Sequence, residues 1–173
     1  MPSYYIIATA EATSNLARFD GVKYTTRSED AKNLQEIYKQ SRSEGFGKEV
    51  QRRIMLGNYV LSSGYYDAYY KKAKVVQNAL IDQFNNAFSK CDIILMPTTI
   101  GEAYEIGSKP SNPVETYKED IFTVTANVIG ATCLSYPYGK GKNNLPLGVQ
   151  FMAPKGNEQI VFQLAKFVEG LGV

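Results

Sequence analysis

The sequence contains no histidine. Histidine is the side chain that most often acts as a general acid or base near neutral pH, so its absence excludes a Ser-His-Asp triad, a Cys-His pair and an ordinary histidine-zinc site within this chain. Tryptophan is also absent, and the two cysteines, Cys91 and Cys133, are widely separated. Two such thiols fit a reducing compartment better than a disulfide framework.

Long apolar runs and a large net charge are absent as well. No stretch approaches the roughly 20 apolar residues that a membrane span needs, and the start, MPSYYIIATAEA, lacks the basic region of a signal peptide. A formal net charge of +2 is too small to argue for nucleic acid. With 173 residues and 44% hydrophobic content, the chain is expected to be a single globular domain over 1–173.

Apolar spacing predicts an α/β layered domain with a mixed sheet and covering helices. A continuous apolar run over 93–96 indicates a strand buried on both faces. The other predicted strands are 4–10, 133–138 and 147–153, of which the last two form a hairpin around GKGKNN. The predicted helices are 28–40 with Ser28 as its cap, 47–61, 65–88, 112–130, and 157–171 with Asn157 as its cap.

Two charged residues fall on predicted apolar stripes. Arg53 lies between Val50 and Gly57, and Asp120 takes a similar position on the helix 112–130. An arginine that faces the core is costly unless an anion meets it. One interpretation is a structural ion pair between Arg53 and Asp120. The other is a clamp for a free α-amino acid, in which the guanidinium binds the carboxylate and the aspartate binds the ammonium. Spacing alone favours the ion pair.

Other motifs are weaker. Tyr65 and Tyr69 begin a stripe along the helix 65–88, and an aromatic stripe at helical spacing indicates core rather than a cofactor cage. Residues 62–64 (SSG) could hold a nucleophile, but a helix-breaking turn is the commoner use of such a sequence. GKGKNN lacks the spacing of a phosphate-binding loop. We identify no cluster of metal-ligating residues.

The strongest family resemblance lies in SRSEGFGKEVQRRIMLGNYVLSSGYYDAYYKKA. This stretch closely resembles the A subunits of the glutamyl-tRNA(Gln)/aspartyl-tRNA(Asn) amidotransferases, which are amidase-signature proteins. Four further segments keep the family's order: YYIIATAEATSNLARFDGVKY, DIILMPT, YKEDIFTVTAN and LPLGVQFMA. The resemblance covers essentially the whole chain but only the C-terminal third of the family. It implies the C-terminal part of the amidase-signature mixed-sheet fold with covering helices.

The resemblance also implies a chemistry. In that family the A subunit hydrolyses glutamine, and a second subunit uses the ammonia to amidate glutamate or aspartate mischarged on tRNA. Arg53, in RRI, would then hold the α-carboxylate of glutamine, Asp120, in YKEDIFT, its α-ammonium, and Tyr4 would line the same pocket. The resemblance therefore favours the clamp over the ion pair. The family's nucleophile works through a Ser, a cis-Ser and a Lys in a Gly/Ser-rich segment without a counterpart in these 173 residues, so no catalytic residue is assigned and the chain alone is expected to be inactive.

The implied partners are glutamine, subunits B and C, tRNA through the complex, and the N-terminal part of the amidase domain, with no membrane. No cofactor is implied for this chain, whereas ATP and magnesium are implied for the partner subunit. The expected compartment is the cytoplasm or an organelle. Thr125 departs from the proline that the family places in FTVPAN. Two alternatives stay open: a non-catalytic binding or assembly module derived from an amidase, and part of another amide hydrolase.

Overall fold

The computed structural model describes residues 1–108 and 118–171. These residues form two compact units, one from Pro2 to Val75 and the other from Val76 onward. Because compact units can belong to one domain, the single domain over 1–173 stays a prediction.

The first unit is helical. Helices α1 and α3 make its main contact, and at that contact a Cβ added to Gly57 would overlap the Thr9 carbonyl oxygen and Thr13 Oγ1. Thr13 Oγ1 also donates to the Ile54 carbonyl at 2.9 Å. Gly57 therefore leaves room for α1. The elements are α1 (Pro2–Leu16), α2 (Leu34–Gly45), α3 (Lys48–Leu61), a π-helical segment (Tyr66–Lys71) and the start of α4 (Lys72–Phe88).

The strand predicted at residues 4–10 is wrong, because this stretch belongs to α1. A short apolar run is compatible with a buried strand or a buried helix, and periodicity alone cannot separate them. In α1 the side chains of Ile7 and Ala10 are both buried, at helical spacing. The alanine content of ATAEA also favours a helix.

The prediction that Ser28 caps the second helix is wrong too. The helix α2 starts later, and its N-cap is Asn33, whose side-chain oxygen accepts from the Glu36 N–H at 3.0 Å. Ser28 lies in the preceding loop, where its N–H donates to Ser41 Oγ at 2.9 Å. The Glu36 carboxylate accepts in turn from Asn33 Nδ2 at 2.9 Å and from the Lys32 N–H at 2.8 Å, so it satisfies the backbone donor one residue before the one that a capping box would use.

The second unit carries a three-stranded sheet in the order β1-β3-β2 over the described residues. The predicted hairpin is confirmed, and its loop closes through a bond from the Gly141 N–H to the Leu145 carbonyl at 2.9 Å. After α4, the elements are β1 (Ile94–Pro97), a 3₁₀ segment (Glu119–Ile121), α5 (Thr123–Ile129), β2 (Thr132–Lys140), β3 (Pro146–Ala153) and α6 (Glu158–Gly170).

The sheet differs from the mixed sheet that the sequence predicted, since both strand pairings among the described residues are antiparallel. The strand predicted at 93–96 exists as β1, but it is not buried on both faces. It lies at the edge of the described sheet, and Leu95 is 63% exposed. A central strand and an edge strand can have the same uninterrupted apolar sequence, so the sequence could not predict which of the two positions β1 takes.

The core of the second unit lies between the sheet and α6. Phe151 and Ala153 of β3 pack with Val161 of α6, and all three are almost completely buried. Tyr136 of β2 stacks on Phe151 with ring centroids 5.8 Å apart. The predicted last helix is confirmed.

Two details at the helix ends differ from the predictions. Phe167 and Leu171 lie on the apolar side of the predicted helix 157–171 but are exposed, and Asn157 makes no side-chain capping bond. The Asn157 side chain instead donates to the Pro154 carbonyl at 3.2 Å. The predicted start of the helix 112–130 falls within 109–117, outside the described residues. Its end at Gly130 is confirmed, with φ +70°.

Candidate functional site

Arg53 lies on α3, as predicted, but it does not face the core. Its side chain is 48% exposed, and its Nε donates to Glu49 Oε1 at 2.9 Å. Arg52 binds the other oxygen of the same carboxylate at 2.7 Å. The position of Arg53 on the apolar stripe from Val50 to Gly57 predicted a buried side chain, but this position specifies only where the Cα atom lies. A long arginine side chain can instead reach back one turn along the helix to water and to the carboxylate at i−4.

Asp120 is also exposed, contrary to the predicted inward position. It lies in the 3₁₀ segment Glu119–Ile121, immediately before α5. The prediction assumed one continuous α-helix over 112–130. A 3₁₀ turn has three residues per turn, so it changes which side chains share the face of Val124.

Tyr4 is half-buried in α1, and its ring meets that of Tyr5 edge-on at 5.3 Å. Tyr4 and Arg53 therefore belong to the same compact unit, and Asp120 belongs to the other. The ion pair between Arg53 and Asp120 and the amino-acid clamp both stay predictions.

The geometry at Arg53 suits an exchangeable carboxylate contact. A guanidinium binds a carboxylate through a planar fork of donors. The Glu49 carboxylate orients the side chain of Arg53 while both groups stay about half exposed. Exposed ion pairs contribute little to stability, roughly 0–1 kcal/mol. A ligand carboxylate could therefore replace Glu49 without a large loss of folding free energy.

A cavity of about 470 Å³ lies within the second unit, beside the ends of the strands. Glu119 lines it, and the Oε1 atom of this residue is buried with no hydrogen-bond partner among the described residues. The hydroxyls of Thr98 and Ser135, also in the lining, share a hydrogen bond of 2.9 Å. A buried carboxylate oxygen without a donor is costly, so this cavity suits a donor ligand. Sequence reasoning chose the neighbouring acid, Asp120. Helical spacing favoured Asp120 because it assumed a continuous α-helix, and the 3₁₀ turn changes the directions of both side chains.

Three tyrosines form an exposed cluster at the junction of α3 and the π-helical segment. The ring centroids of Tyr59 and Tyr65 are 4.2 Å apart, and Tyr69 lies 5.9 Å from Tyr65 and 6.2 Å from Tyr59. The interpretation of Tyr65 and Tyr69 as core is wrong, because both are exposed. A hydrogen bond from the Tyr59 hydroxyl to the Tyr65 side chain favours the protonated phenol and is the main cause that raises the pKa of Tyr59 to about 12.

The described residues contain neither a metal-ligating cluster nor a membrane-spanning helix. Over 1–108 and 118–171, no group of three or more Cys, Asp or Glu residues is placed to hold a metal ion. No helix in that part of the chain has both the length and the apolar character to cross a membrane.

The chain belongs to the amidase family, since the Amidase family model matches residues 1–162. The glutamyl-tRNA(Gln) amidotransferase A subunit of Koribacter versatilis is 52% identical to it over 169 residues, and that of Brevibacillus brevis is 51% identical over 169. Each alignment covers 98% of this chain, and 35% and 34% of the relatives respectively. The chain thus spans about a third of the length of the curated relatives that it matches, and the resemblance found in the sequence is confirmed.

Solved structures agree with this assignment. The crystal structure of the glutamyl-tRNA(Gln) amidotransferase A subunit of Thermotoga maritima superposes with a TM-score of 0.56 at 30% identity, covering 95% of this chain and 37% of that one. A crystal structure of an amidase gives a TM-score of 0.68 at 19% identity, covering 97% and 34%. The second likeness concerns the fold alone. Together they confirm the predicted α/β class and its relation to the amidase-signature fold.

Proposed function

We propose that this chain is the C-terminal portion of the A subunit of a glutamine-dependent amidotransferase. In this proposal glutamine hydrolysis supplies the ammonia that amidates glutamate on tRNA(Gln) or aspartate on tRNA(Asn). The observation that carries the proposal is the 52% identity over 169 residues to the A subunit of Koribacter versatilis. Arg53 and Asp120 are both present where the family resemblance assigns the two substrate contacts.

The proposal divides the work between parts of the complex. This chain contributes the glutamine contacts Arg53, Asp120 and Tyr4, and the N-terminal part of the amidase domain contributes the nucleophile. Subunits B and C complete the complex, which binds the tRNA. ATP and magnesium act in the partner subunit, and no cofactor is assigned to this chain.

Arg53 is tested by replacing it with alanine in a full-length A subunit in complex with its partners. Loss of a charge-assisted hydrogen bond costs roughly 1.5–3 kcal/mol, so the KM for glutamine should rise about 10- to 100-fold. Arg52→Ala is the matched control, because Arg52 binds the same Glu49 carboxylate. It should leave the KM unchanged. A loss of thermal stability in Arg53→Ala with an unchanged KM would favour the structural ion pair over the clamp.

Asp120 is tested by Asp120→Asn, which keeps the shape of the side chain and removes its charge. If Asp120 binds the α-ammonium, kcat/KM for glutamine should fall about 10- to 100-fold while kcat/KM for an analogue without the amino group should change little. Glu119→Gln tests the adjacent acid, which lines the cavity, and a loss confined to that variant would place the ammonium contact at Glu119 instead. Equal losses on both substrates would contradict an ammonium-binding role for Asp120.

A second candidate, a non-catalytic assembly module, is supported by the exposed apolar edge of the sheet at β1. Under either candidate, the pure 173-residue chain should release no ammonia from glutamine. Ammonia release by this chain alone would contradict both. Recovery of glutaminase activity when the chain assembles with an N-terminal amidase portion would favour the first candidate.

A further inference from the structure

The cavity of about 470 Å³ in the second unit has an acidic wall that the proposed glutamine contacts do not use. Glu102 and Glu119 both line it, and no lysine or arginine is among the described residues of the lining. Two carboxylates on one cavity wall attract a cation and repel an anion. The cavity therefore selects for positive charge.

Glu102 holds a fixed orientation in this wall. Its Oε1 atom accepts from the Asn143 N–H at 2.9 Å, and its Oε2 atom accepts from Asn143 Nδ2 at 2.6 Å. A Cβ added to Gly141 would overlap the Glu102 carboxylate, so the hairpin turn leaves room for this contact. Both donors are neutral, so they orient the carboxylate without cancelling its negative charge.

Glu119 has an acceptor to offer. Its Oε1 atom is buried and has no hydrogen-bond partner among the described residues. A buried acceptor that lacks a donor is costly, so a donor that reaches it gains more than one that meets a solvated carboxylate. The terminal torsion of a glutamate side chain is soft, so a small rotation of the carboxylate can turn this oxygen toward a ligand in the cavity.

Two hydroxyls add further acceptors to the lining. Thr98 Oγ1 and Ser135 Oγ lie 2.9 Å apart and share one hydrogen bond. A Cβ added to Gly148 would come within 2.9 Å of Thr98 Oγ1 and 3.1 Å of Ser135 Oγ, so this glycine leaves room for the hydroxyl pair. Each hydroxyl oxygen has two lone pairs, so the pair can accept from a ligand after its own bond is made.

The size of the cavity decides which cation fits. A bare ammonium ion is about as large as a water molecule, roughly 30 Å³, and would leave most of the space empty. Ile100, Ala103 and Pro146 give the lining an apolar part. Calcium and magnesium require about six or more oxygen ligands, and no group of three or more acidic residues or cysteines in the described ranges is placed to hold a metal ion. An N–H donor with a short apolar body satisfies charge, acceptors and volume together.

We propose that this cavity binds a primary ammonium group carried on a short apolar body, with Glu119 as the acceptor of its N–H donors. Glu102 and Glu119 repel a carboxylate, so zwitterions such as glutamine are excluded. The inference does not rest on the proposed function, because it needs neither a nucleophile nor the glutamine contacts Arg53 and Asp120.

The test titrates the 173-residue chain calorimetrically with n-butylammonium chloride at constant ionic strength. 1-Butanol has the same body without the charge, and 4-aminobutanoate adds a carboxylate at the far end of that body. Each should bind at least about tenfold more weakly than n-butylammonium. Equal affinities for the three compounds would overturn the proposal, and so would absence of n-butylammonium binding.

Glu119→Gln keeps the shape of the side chain and removes its charge. It should weaken n-butylammonium binding at least about tenfold. It should not lower the melting temperature, because Oε1 has no described partner to lose. Glu105→Gln is the matched control, since Glu105 is an exposed acid in the loop that follows β1 and does not line the cavity. It should bind n-butylammonium as the unchanged chain does.

Amide chemical shifts locate the ligand without a variant. Addition of n-butylammonium should move the resonances of residues 98–103, Glu119 and Ser135, and excess glutamine should not reverse these changes. Binding that Glu119→Gln leaves intact, shift changes away from the lining, or displacement by glutamine would each contradict the proposal. A changed glutamine KM in Arg53→Ala bears on the proposed function alone, so the two can fail separately.

Discussion

At the residue scale, Gly57 fixes the distance between α1 and α3, which carry Tyr4 and Arg53. Ordinarily, Gly→Ala within a helix stabilises by roughly 0.8–1 kcal/mol. Here the added Cβ would overlap backbone and side-chain atoms of α1. We therefore expect Gly57→Ala to lower the free energy of unfolding by about 1–3 kcal/mol, as overpacking does. Urea denaturation measures this change.

Gly45→Ala is the control for that measurement. Gly45 ends α2 in the same unit, and a Cβ there would meet nothing within 4 Å. This variant should be as stable as the unchanged chain or slightly more so. Equal stabilities of the two variants would mean that α1 and α3 do not approach closely at Gly57.

The raised pKa of Tyr59 predicts that the stability of the chain depends on pH in the alkaline range. Its pKa is about 12 in the folded chain against an ordinary value of 10.0, chiefly because its hydroxyl donates a hydrogen bond to the Tyr65 side chain. A group whose folded pKa is raised contributes stability that is fully present below its unfolded pKa and is lost as pH rises through the folded one. The stability of the unchanged chain should therefore fall between about pH 10 and pH 12. Urea denaturation at a series of pH values measures this fall.

The variant Tyr59→Phe keeps the aromatic ring and removes the ionising hydroxyl. Its loss of stability over the same pH range should be smaller, and the latest phenol in an ultraviolet titration should disappear. Tyr38→Phe removes a phenol of α2 in the same unit, outside the cluster, and should retain that late phenol. If Tyr59→Phe and the unchanged chain lose stability in parallel, the Tyr65 bond does not form in solution.

At the element scale, sequence patterns predicted best where local chemistry decides the structure. The hairpin of β2 and β3 follows from the turn sequence GKGKNN, in which Asn144 adopts φ +62°. The start of α3 after Gly47 and the stop at Ser62 were also predicted. These features depend on turn residues within a few positions, and a single sequence contains that information, although the caps predicted at Ser28 and Asn157 were wrong.

Predictions failed where packing between elements decides the conformation or the exposure of a residue. The run YYIIATA was predicted to be a strand, but it is helical, and the packing of Ile7 and Ala10 buries one face of that helix. The sequence placed Arg53 on the correct helix, but its exposure depends on a long side chain reaching Glu49. Apolar spacing identified Arg53 and Asp120, but their interpretation as an amino-acid clamp came from the family resemblance at RRI and YKEDIFT, since spacing alone favoured an ion pair. Glu119 was missed because a local 3₁₀ turn directs it into a cavity.

Strand β3 is the element on which the second unit depends. It lies between β1 and β2 and carries Phe151, which is almost completely buried. Phe151→Ala removes a large side chain and leaves a cavity, so the free energy of unfolding should fall by about 3–5 kcal/mol. Phe167→Ala on α6 is the matched control, because Phe167 is exposed. It should change stability by less than roughly 0.5 kcal/mol. Similar losses in both variants would contradict the described position of β3.

At the scale of the whole molecule, the division at Val75 predicts two regions of hydrogen-exchange protection. A compact unit with its own core can open without the rest of the chain, and its amides then exchange together. Phe151→Ala should accelerate amide exchange mainly from Val76 onward. Gly57→Ala should accelerate it mainly over Pro2–Val75.

Phe151→Ala and Gly57→Ala serve as controls for each other in the exchange experiment, because each variant perturbs one unit only. A uniform acceleration across the described residues in both variants would mean that the chain opens as a single cooperative unit, as small domains usually do. That outcome would favour the single domain predicted over 1–173. Separate responses would mean that Arg53 and Asp120 are carried by parts of the chain that open independently. Loss of structure in the unit Pro2–Val75 would then abolish the proposed glutamine contacts of Arg53 and Tyr4 and leave that of Asp120 in place.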